Sequence, residues 1–206
     1  MAGGRYGKDP PVSVPGPTVV LFRHGETDWS RSGRHTGTTD CDLTDRGERE
    51  AEALAPAASD PRPDLVLCSP LRRARRTAEL AGLTPYQIDP DLAEWDYGEL
   101  EGRTSDEIHR SIPGWTIWDG PWFGGETSGQ VAARADRAIR RILCQPPGSR
   151  VAVVAHGHVL RVLAARWLGE PARHGRFLAL DTGTVGELGW EHTYRVVRRW
   201  NAPVGT

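Results

Sequence analysis

Lysine is almost missing from this chain: of its 26 basic residues only Lys8 is one, so nearly every cation is a guanidinium. A guanidinium grips oxyanions through paired, fixed donors, whereas an ammonium acts as a point charge. Cysteine is scarce as well. Cys41, Cys68 and Cys144 are odd in number and lack metal-ligand spacing, which argues against a disulfide framework and a zinc site. No sign of charge is in excess, the formal balance being −1, so neither a nucleic-acid partner nor a membrane-seeking basic face is expected. Any attraction for anions has to be local. No apolar run approaches the roughly 18 residues of a spanning helix. The sequence also opens without an apolar leader, and with reduced thiols this makes a cytoplasmic location the expectation. Solenoid-type repeats are absent.

What is present suits one domain. With 206 residues, 38% of them hydrophobic, the chain can bury one sizeable core. Residues 1–17, rich in Gly and Pro, are expected to form a disordered tail because they hold too little to bury against the entropy of ordering. The domain is placed at 18–200 and a short C-terminal tail at 201–206. "TVVLF", "DLVLC" and "RVAVVA" are short and continuously apolar, the pattern of parallel strands covered on both faces. Helical spacings stand between them. Thr44 caps a run carrying Ala51, Leu54 and Ala58 that Pro56 disturbs; Ser69 and Pro70 open a run carrying Leu71, Ala74, Ala78 and Ala81 before Gly82. Val131, Ala135, Ala138, Ile139 and Ile142 mark a third helix and "VLRVLAARWLG" a fourth. From Leu92 to Gly129 periodicity fails while Trp95, Trp115, Trp118 and Trp122 accumulate, which predicts a Trp-rich excursion on the active-site side, with a core of its own. "GTVGELGW" and "TYRVVRRW" predict a terminal hairpin. The alternation makes the fold class α/β, with three α/β/α layers around a mostly parallel central sheet.

Two of those strands deliver the same dipeptide. "VVLFRHG" ends in Arg23, His24 and Gly25, and "VAVVAHGH" in His156, Gly157 and His158. In open parallel sheets ligands bind beyond the carboxyl ends of the strands. There, Arg23 and an arginine from the Ser69 helix can grip a phosphoryl group without a metal, while a neutral imidazole attacks phosphorus. Glycine after each histidine is expected to leave room for the ligand. The leaving alkoxide needs a proton, and "LAEWDYGELEG" offers Glu94, Asp96, Glu99 and Glu101 beside aromatic residues; Asp28, four residues after His24, is a rival. Arg72, Arg75 and Arg76 read as a solvated helix face, and His35, His109, His174 and His192 as exposed. His158 beside His156 hints at a metal pair, but the sequence supplies no third ligand and no metal is assigned.

"FRHGETDWS", "HTGTTDCDLTDRG", "CSPLRRARRTA", "LAEWDYGELEG", "GGET" and "VAHGH" together resemble the histidine phosphatase superfamily, in the branch similar to cofactor-dependent phosphoglycerate mutase. They run in family order over residues 18 to about 168. The resemblance implies that His24 is the phosphorylated nucleophile, that Arg23 and Arg73 bind the phosphoryl group, that His156 stabilises it and that Glu94 donates the proton. Thr36, Gly37, Tyr97, Gly157 and His158 match positions where the family touches substrate. Ser30 stands where the family usually has asparagine; it keeps a donor with shorter reach and joins the substrate-binding set. The lysine and arginine pair that hold a second anionic group in the mutases have no counterpart, since Ser105 stands near the lysine position and "GWTIWDGPWFGGET" has no arginine. Hydrolysis is therefore the expected outcome, as in the sedoheptulose bisphosphatase and broad acid phosphatase members, with no cofactor. The expected partner is a small phosphorylated metabolite such as a sugar phosphate. A phosphoglycerate-type mutase and a catalytically idle phospho-ligand binding module are the alternatives, and a homo-oligomer stays open.

Overall fold

A computed structural model describes residues 16–203. Four parallel strands, β1 (Thr18–Arg23), β2 (Leu65–Cys68), β3 (Gln87–Ile88) and β4 (Arg150–Ala155), are joined by the antiparallel hairpin of β5 (Val185–Glu191) and β6 (Tyr194–Ala202). The sheet order is β3-β2-β4-β1-β5-β6. Helices α1 (Asp28–Arg31), α2 (Asp45–Ala53), α3 (Ala55–Ser59), α4 (Arg72–Leu80), α5 (Ser105–Ser111), α6 (Ser128–Leu143) and α7 (Gly157–Trp167) surround it.

The three apolar runs are the central strands. Side chains alternate across a strand, so Val19, Leu21, Val151 and Val153 enter one core while Val20, Phe22, Ala152 and Val154 enter the other. The first core is filled by Val131 and Ile139 of α6 and by Leu160 and Leu163 of α7. Leu54, Ala58, Ala74 and Ala78, from the α2 to α4 side, fill the second. These are the three expected layers.

Local chemistry explains most boundaries. The Thr44 hydroxyl accepts the Gly47 N–H at 3.0 Å and starts α2. Pro56 is tolerated because α2 has stopped at Ala53, which leaves the proline in the first turn of α3. Ser69, in contrast, does not cap α4. That helix begins at Arg72 with Leu71 as a cap that makes no side-chain bond, and the Ser69 hydroxyl accepts only the Leu71 N–H ahead of it, at 3.3 Å, while lying 2.7 Å from His156 Nε2. The first turn of α4 is capped from far along the chain, where Asp40 Oδ1 accepts the Arg72 N–H at 2.7 Å.

Between Pro90 and Thr127 the backbone passes through two 3₁₀ turns and α5. Trp95, Trp115 and Trp118 are buried in the same core as α6 and α7, so they belong to the main domain and form no separate core. The tail expected over 1–17 lies, up to residue 15, outside the described residues. Gly16 and Pro17 are buried, and their carbonyls accept from the Gly148 N–H and the Trp190 indole at 3.2 and 3.0 Å. At the other end β6 continues through Asn201 and Ala202. Among the described residues no helix is long and apolar enough to cross a membrane.

The sheet also places the site. β1 and β4 are neighbours, and the helices that follow them lie on opposite faces. The crevice at such a switch point opens at the carboxyl edge. The last register pair is Arg23 with Ala155, which puts His24 and His156 together just beyond it.

Asp40→Ala removes the distant cap of α4. A loss of about 1 kcal/mol is expected, or about 2–4 °C in Tm for a chain of this size; an unchanged thermal melt would show that the bond carries no stability.

Candidate active site

The rings of His24 and His156 face each other with centroids 5.1 Å apart. His24 Nδ1 lies 2.7 Å from the Gly25 carbonyl, which can only accept, so Nδ1 carries the proton and Nε2 keeps its lone pair. Burial, then the charges of Arg73 and Arg23, push its pKa well below the usual imidazole range against the pull of that carbonyl. His156 is held in the opposite tautomer. Arg73 Nε donates to its Nδ1 at 3.0 Å, and because arginine has no acceptor, the ring proton sits on Nε2 and is given to Ser69 Oγ. Burial and the same Arg73 charge keep His156 neutral.

Arg73 is fully buried, whereas Arg72 is outside and paired with Asp40 and Asp42. Helical periodicity turns Arg73, Ala74, Thr77 and Ala78 inward together. The Arg73 guanidinium donates to the carbonyls of Thr39 (2.9 Å), Thr36 (3.0 Å) and Gly37 (3.1 Å). Thr77 fastens the helix to the histidine loop by donating to Arg73 O and accepting the Gly25 N–H. Arg23 donates through Nη1 to the Leu180 carbonyl, while its buried Nε finds no partner among the described residues. A buried donor left unmade costs about 1–3 kcal/mol, and this one belongs to a side chain that lines the cavity.

Of the glycines after the histidines, Gly157 lines the cavity, whereas Gly25 serves the protein's own packing. A Cβ on Gly25 would lie 2.1 Å from Gly47 O, and one on Gly47 would lie 2.0 Å from Glu26 O, so two backbones meet there with no ligand involved. A Cβ on Gly157 would stand 3.3 Å from Arg23 Cζ, where it would crowd the guanidinium.

Of the carboxylates considered, Glu94 alone lines the cavity. Its oxygens accept backbone donors: Oε1 the N–H groups of Trp95 and Val159 at 2.8 and 2.9 Å, and Oε2 that of His158 at 2.9 Å. The carboxyl group thus sits on the first turn of α7. Buried Arg134 of α6 holds the backbone behind it by donating to Glu94 O and Ala93 O. Asp96 and Glu101 accept from backbone N–H groups elsewhere, Glu99 is exposed, and exposed Asp28 pairs with Arg31 at 2.7 Å.

The cavity has a volume of about 200 Å³. Tyr97 and His158 line it together, with the phenol 2.6 Å from His158 Nδ1. Burial raises the tyrosine pKa well above its usual value and lowers that of the histidine, so the phenol keeps its proton and donates it. Ser30 lines the cavity while its hydroxyl is shared with the Thr27 backbone in the box that caps α1. Thr36 lines it as well. Gly37 does not: its N–H goes to Glu101 and its carbonyl to Arg73, and a Cβ would lie 2.4 Å from Trp95 O.

Five lining residues escape sequence reading: Gly33, Arg34, His35, Arg161 and Leu180. His35, expected to be exposed, is half-buried with its ring 4.8 Å from that of Tyr97, and burial lowers its pKa to about 4. It sits in a polar loop without periodicity and is buried because residues 102–104 pair with that loop, Gly102 N–H reaching the His35 carbonyl. Arg161 lies one helical turn after His158 on α7, and that three-residue spacing was the available signal. Among the described residues no group of three or more His, Cys, Asp or Glu side chains is arranged to hold a metal ion.

His24, His35, His156 and His158 all resist protonation in the fold. Below the ordinary imidazole pKa of 6.5 the unfolded chain binds protons at these positions and the folded chain does not. Stability is therefore indifferent to them above 6.5 and falls as pH drops, by up to about 1.4 kcal/mol per pH unit for each. Thermal melts between pH 7.5 and 5 should show a falling Tm, with a shallower fall in His35→Phe; parallel curves for the two proteins would contradict the burial of that ring.

A sequence model described as the histidine phosphatase superfamily (branch 1) matches residues 19–203. The chain is 42% identical over 179 residues to an acid phosphatase of Mycobacterium tuberculosis, covering 86% of this chain and 88% of that one. It is 37% identical over 186 residues to a sedoheptulose 1,7-bisphosphatase of Saccharomyces cerevisiae, covering 74% and 68%. A solved structure of a Mycobacterium tuberculosis open reading frame superposes with a TM-score of 0.87 at 40% identity, over 91% of this chain and 98% of that one. Two imidazoles and two buried guanidiniums at the switch point, a carboxylate beside them and these likenesses agree: the chain belongs to the histidine phosphatase superfamily, branch 1, as a phosphatase.

Proposed function

We propose that this phosphatase hydrolyses a small phosphomonoester, a sugar phosphate or similar metabolite, without a metal and through a phosphohistidine at His24. The observation that carries the reading is the facing pair of neutral imidazoles, 5.1 Å apart, with one guanidinium bonded to the second ring and another holding an unused donor. In the first step the Nε2 lone pair of His24 attacks phosphorus and the ester P–O bond breaks, while Glu94 gives a proton to the leaving alkoxide. Arg23 and Arg73 hold the equatorial oxygens, where transition-state charge is spread, and His156 keeps Arg73 aimed. In the second step Glu94 takes a proton from water, the oxygen attacks phosphorus, the P–N bond breaks and phosphate leaves. Glu94 is then protonated again.

Water as acceptor is supported by the names of the relatives and by the missing lysine and arginine pair of the mutases. The cavity volume of about 200 Å³ favours a small substrate. Tyr97, His158, Ser30 and Thr36 are the groups that touch what lies beyond the phosphate, with Gly157 leaving space for Arg23.

Phosphate release from a phosphomonoester should persist in excess chelator, and His24→Ala should lose about a thousandfold or more in turnover. Activity that survives the substitution would remove the phosphohistidine from the scheme. Glu94→Gln should slow alkyl phosphates far more than aryl phosphates, whose leaving groups need no proton. Equal slowing of both classes would assign Glu94 a structural part.

A further inference from the structure

Glu126, from the motif "GGET", has no part in the chemistry proposed for the cavity. It forms a bidentate ion pair with Arg134 of α6, whose Nε and Nη2 each lie 2.9 Å from a carboxylate oxygen, and neither residue lines the cavity. Arg134 is only 6% exposed, and Glu126 is half-buried. Taking two charges out of water offsets most of their attraction, so such a pair adds little stability by itself. The rest of its hydrogen bonds show what it holds.

They go to one segment. Arg134 donates to the carbonyls of Asp91, Ala93 and Glu94. Glu126 Oε2 accepts the Asp96 N–H at 3.1 Å, the Glu126 N–H reaches the Asp96 carbonyl at 2.9 Å, and the Glu126 carbonyl accepts the Trp95 indole at 2.7 Å. Each residue from 93 to 96 is thus bonded to the pair. This stretch lies between the 3₁₀ turns Pro90–Leu92 and Gly98–Leu100 and has no helix or strand of its own to fix it. Glu94 nevertheless has to be aimed from it. The first turn of α7 meets the carboxyl group in front, and the ion pair, anchored on α6, meets the backbone behind.

We propose that the Glu126–Arg134 pair positions the general acid, fixing the backbone on both sides of Glu94 so that its carboxyl group meets the leaving oxygen. This rests on the acid role given to Glu94 above and assigns the residues that aim it. The rival explanation is that the pair only satisfies the polar groups of an irregular loop.

The test compares full-chain variants on two alkyl esters, glycerol 3-phosphate and fructose 6-phosphate, and on 4-nitrophenyl phosphate, whose leaving group needs no proton. The ratio of aryl to alkyl turnover does not depend on how much of a preparation is folded. Arg134→Gln should lower kcat on the alkyl esters about 10- to 100-fold, the scale of a misplacement near 1 Å. KM should change little, and the aryl rate should stay within about threefold of the parent on the same grounds. Glu126→Gln, which keeps an acceptor for Asp96 but loses the charge, should act in the same direction, and Arg134→Lys should restore part of the loss. Added to Glu94→Gln, Arg134→Gln should cost less than about threefold more on the alkyl esters, because it acts through that carboxyl group. Arg166→Gln breaks another bidentate pair of α6, with Asp136, and should leave the ratio unchanged.

Equal slowing of both ester classes overturns the inference, as does full multiplication of the two effects in the double variant. A changed ratio in Arg166→Gln also overturns it, by tracing the effect to a general loosening of α6. Failure of both Arg134→Gln and Glu126→Gln to fold would make the pair a part of the fold's stability and end the inference likewise. If Glu94→Gln separates the ester classes and Arg134→Gln does not, only the positioning role fails. If the parent releases phosphate from no alkyl ester, the proposed function fails and the inference with it.

Discussion

The hydrogen bond from Arg73 to His156 joins parts of the chain that sequence keeps far apart. One end lies on α4 and the other just past β4, Ser69 at the end of β2 holds the far side of the imidazole, and carbonyls of residues 36–39 hold the far side of the guanidinium. A fully buried arginine with no ion pair among the described residues is expensive to desolvate, and the surrounding carbonyls and ring nitrogen offset only part of that cost. The remaining hunger for negative charge is what makes the crevice a site. Arg73 also settles the tautomer of His156 and, through Thr77, the position of the loop after His24. Orientation of the first imidazole and protonation of the second thus have one origin.

Charge in the crevice is arranged by exclusion as much as by attraction. Four imidazoles among guanidiniums would repel their neighbours if protonated, and burial keeps them neutral. The one carboxylate on the wall is occupied by backbone donors at the start of α7, which spares the arginines from pairing with it. A polar pocket made of unpaired cations and neutral rings is matched to a dianion and mismatched to neutral ligands.

Much of this was legible before the structure. Continuous apolar runs gave the central strands, and the histidines at the ends of two of them pointed to the carboxyl edge. Arg73 was named from the resemblance, and the helix phase that buries it and exposes Arg72 supplies the physical reason. What stayed hidden depends on contacts between distant residues. Ser69 has the look of a cap, yet its hydroxyl reaches only the Leu71 N–H and is shared with His156, 87 positions away, while Asp40 caps the first turn. His35 lies in a loop with no period, and the strand-like pairing with residues 102–104 that buries it leaves no local trace. The tryptophans announced a cluster but not its membership in the main core. The role of Gly25 was misjudged for the same reason, since its neighbour is the backbone of Gly47 and not a ligand.

That last contact reaches further than packing. Gly25 and Gly47 each lack a side chain because the other segment's main chain occupies the space, so neither position can gain one first. A side chain at either position leaves the turn that carries His24 without its seat. The obstacle at each position is main chain, which no change of side chain at the other removes, so each is held to glycine on its own account.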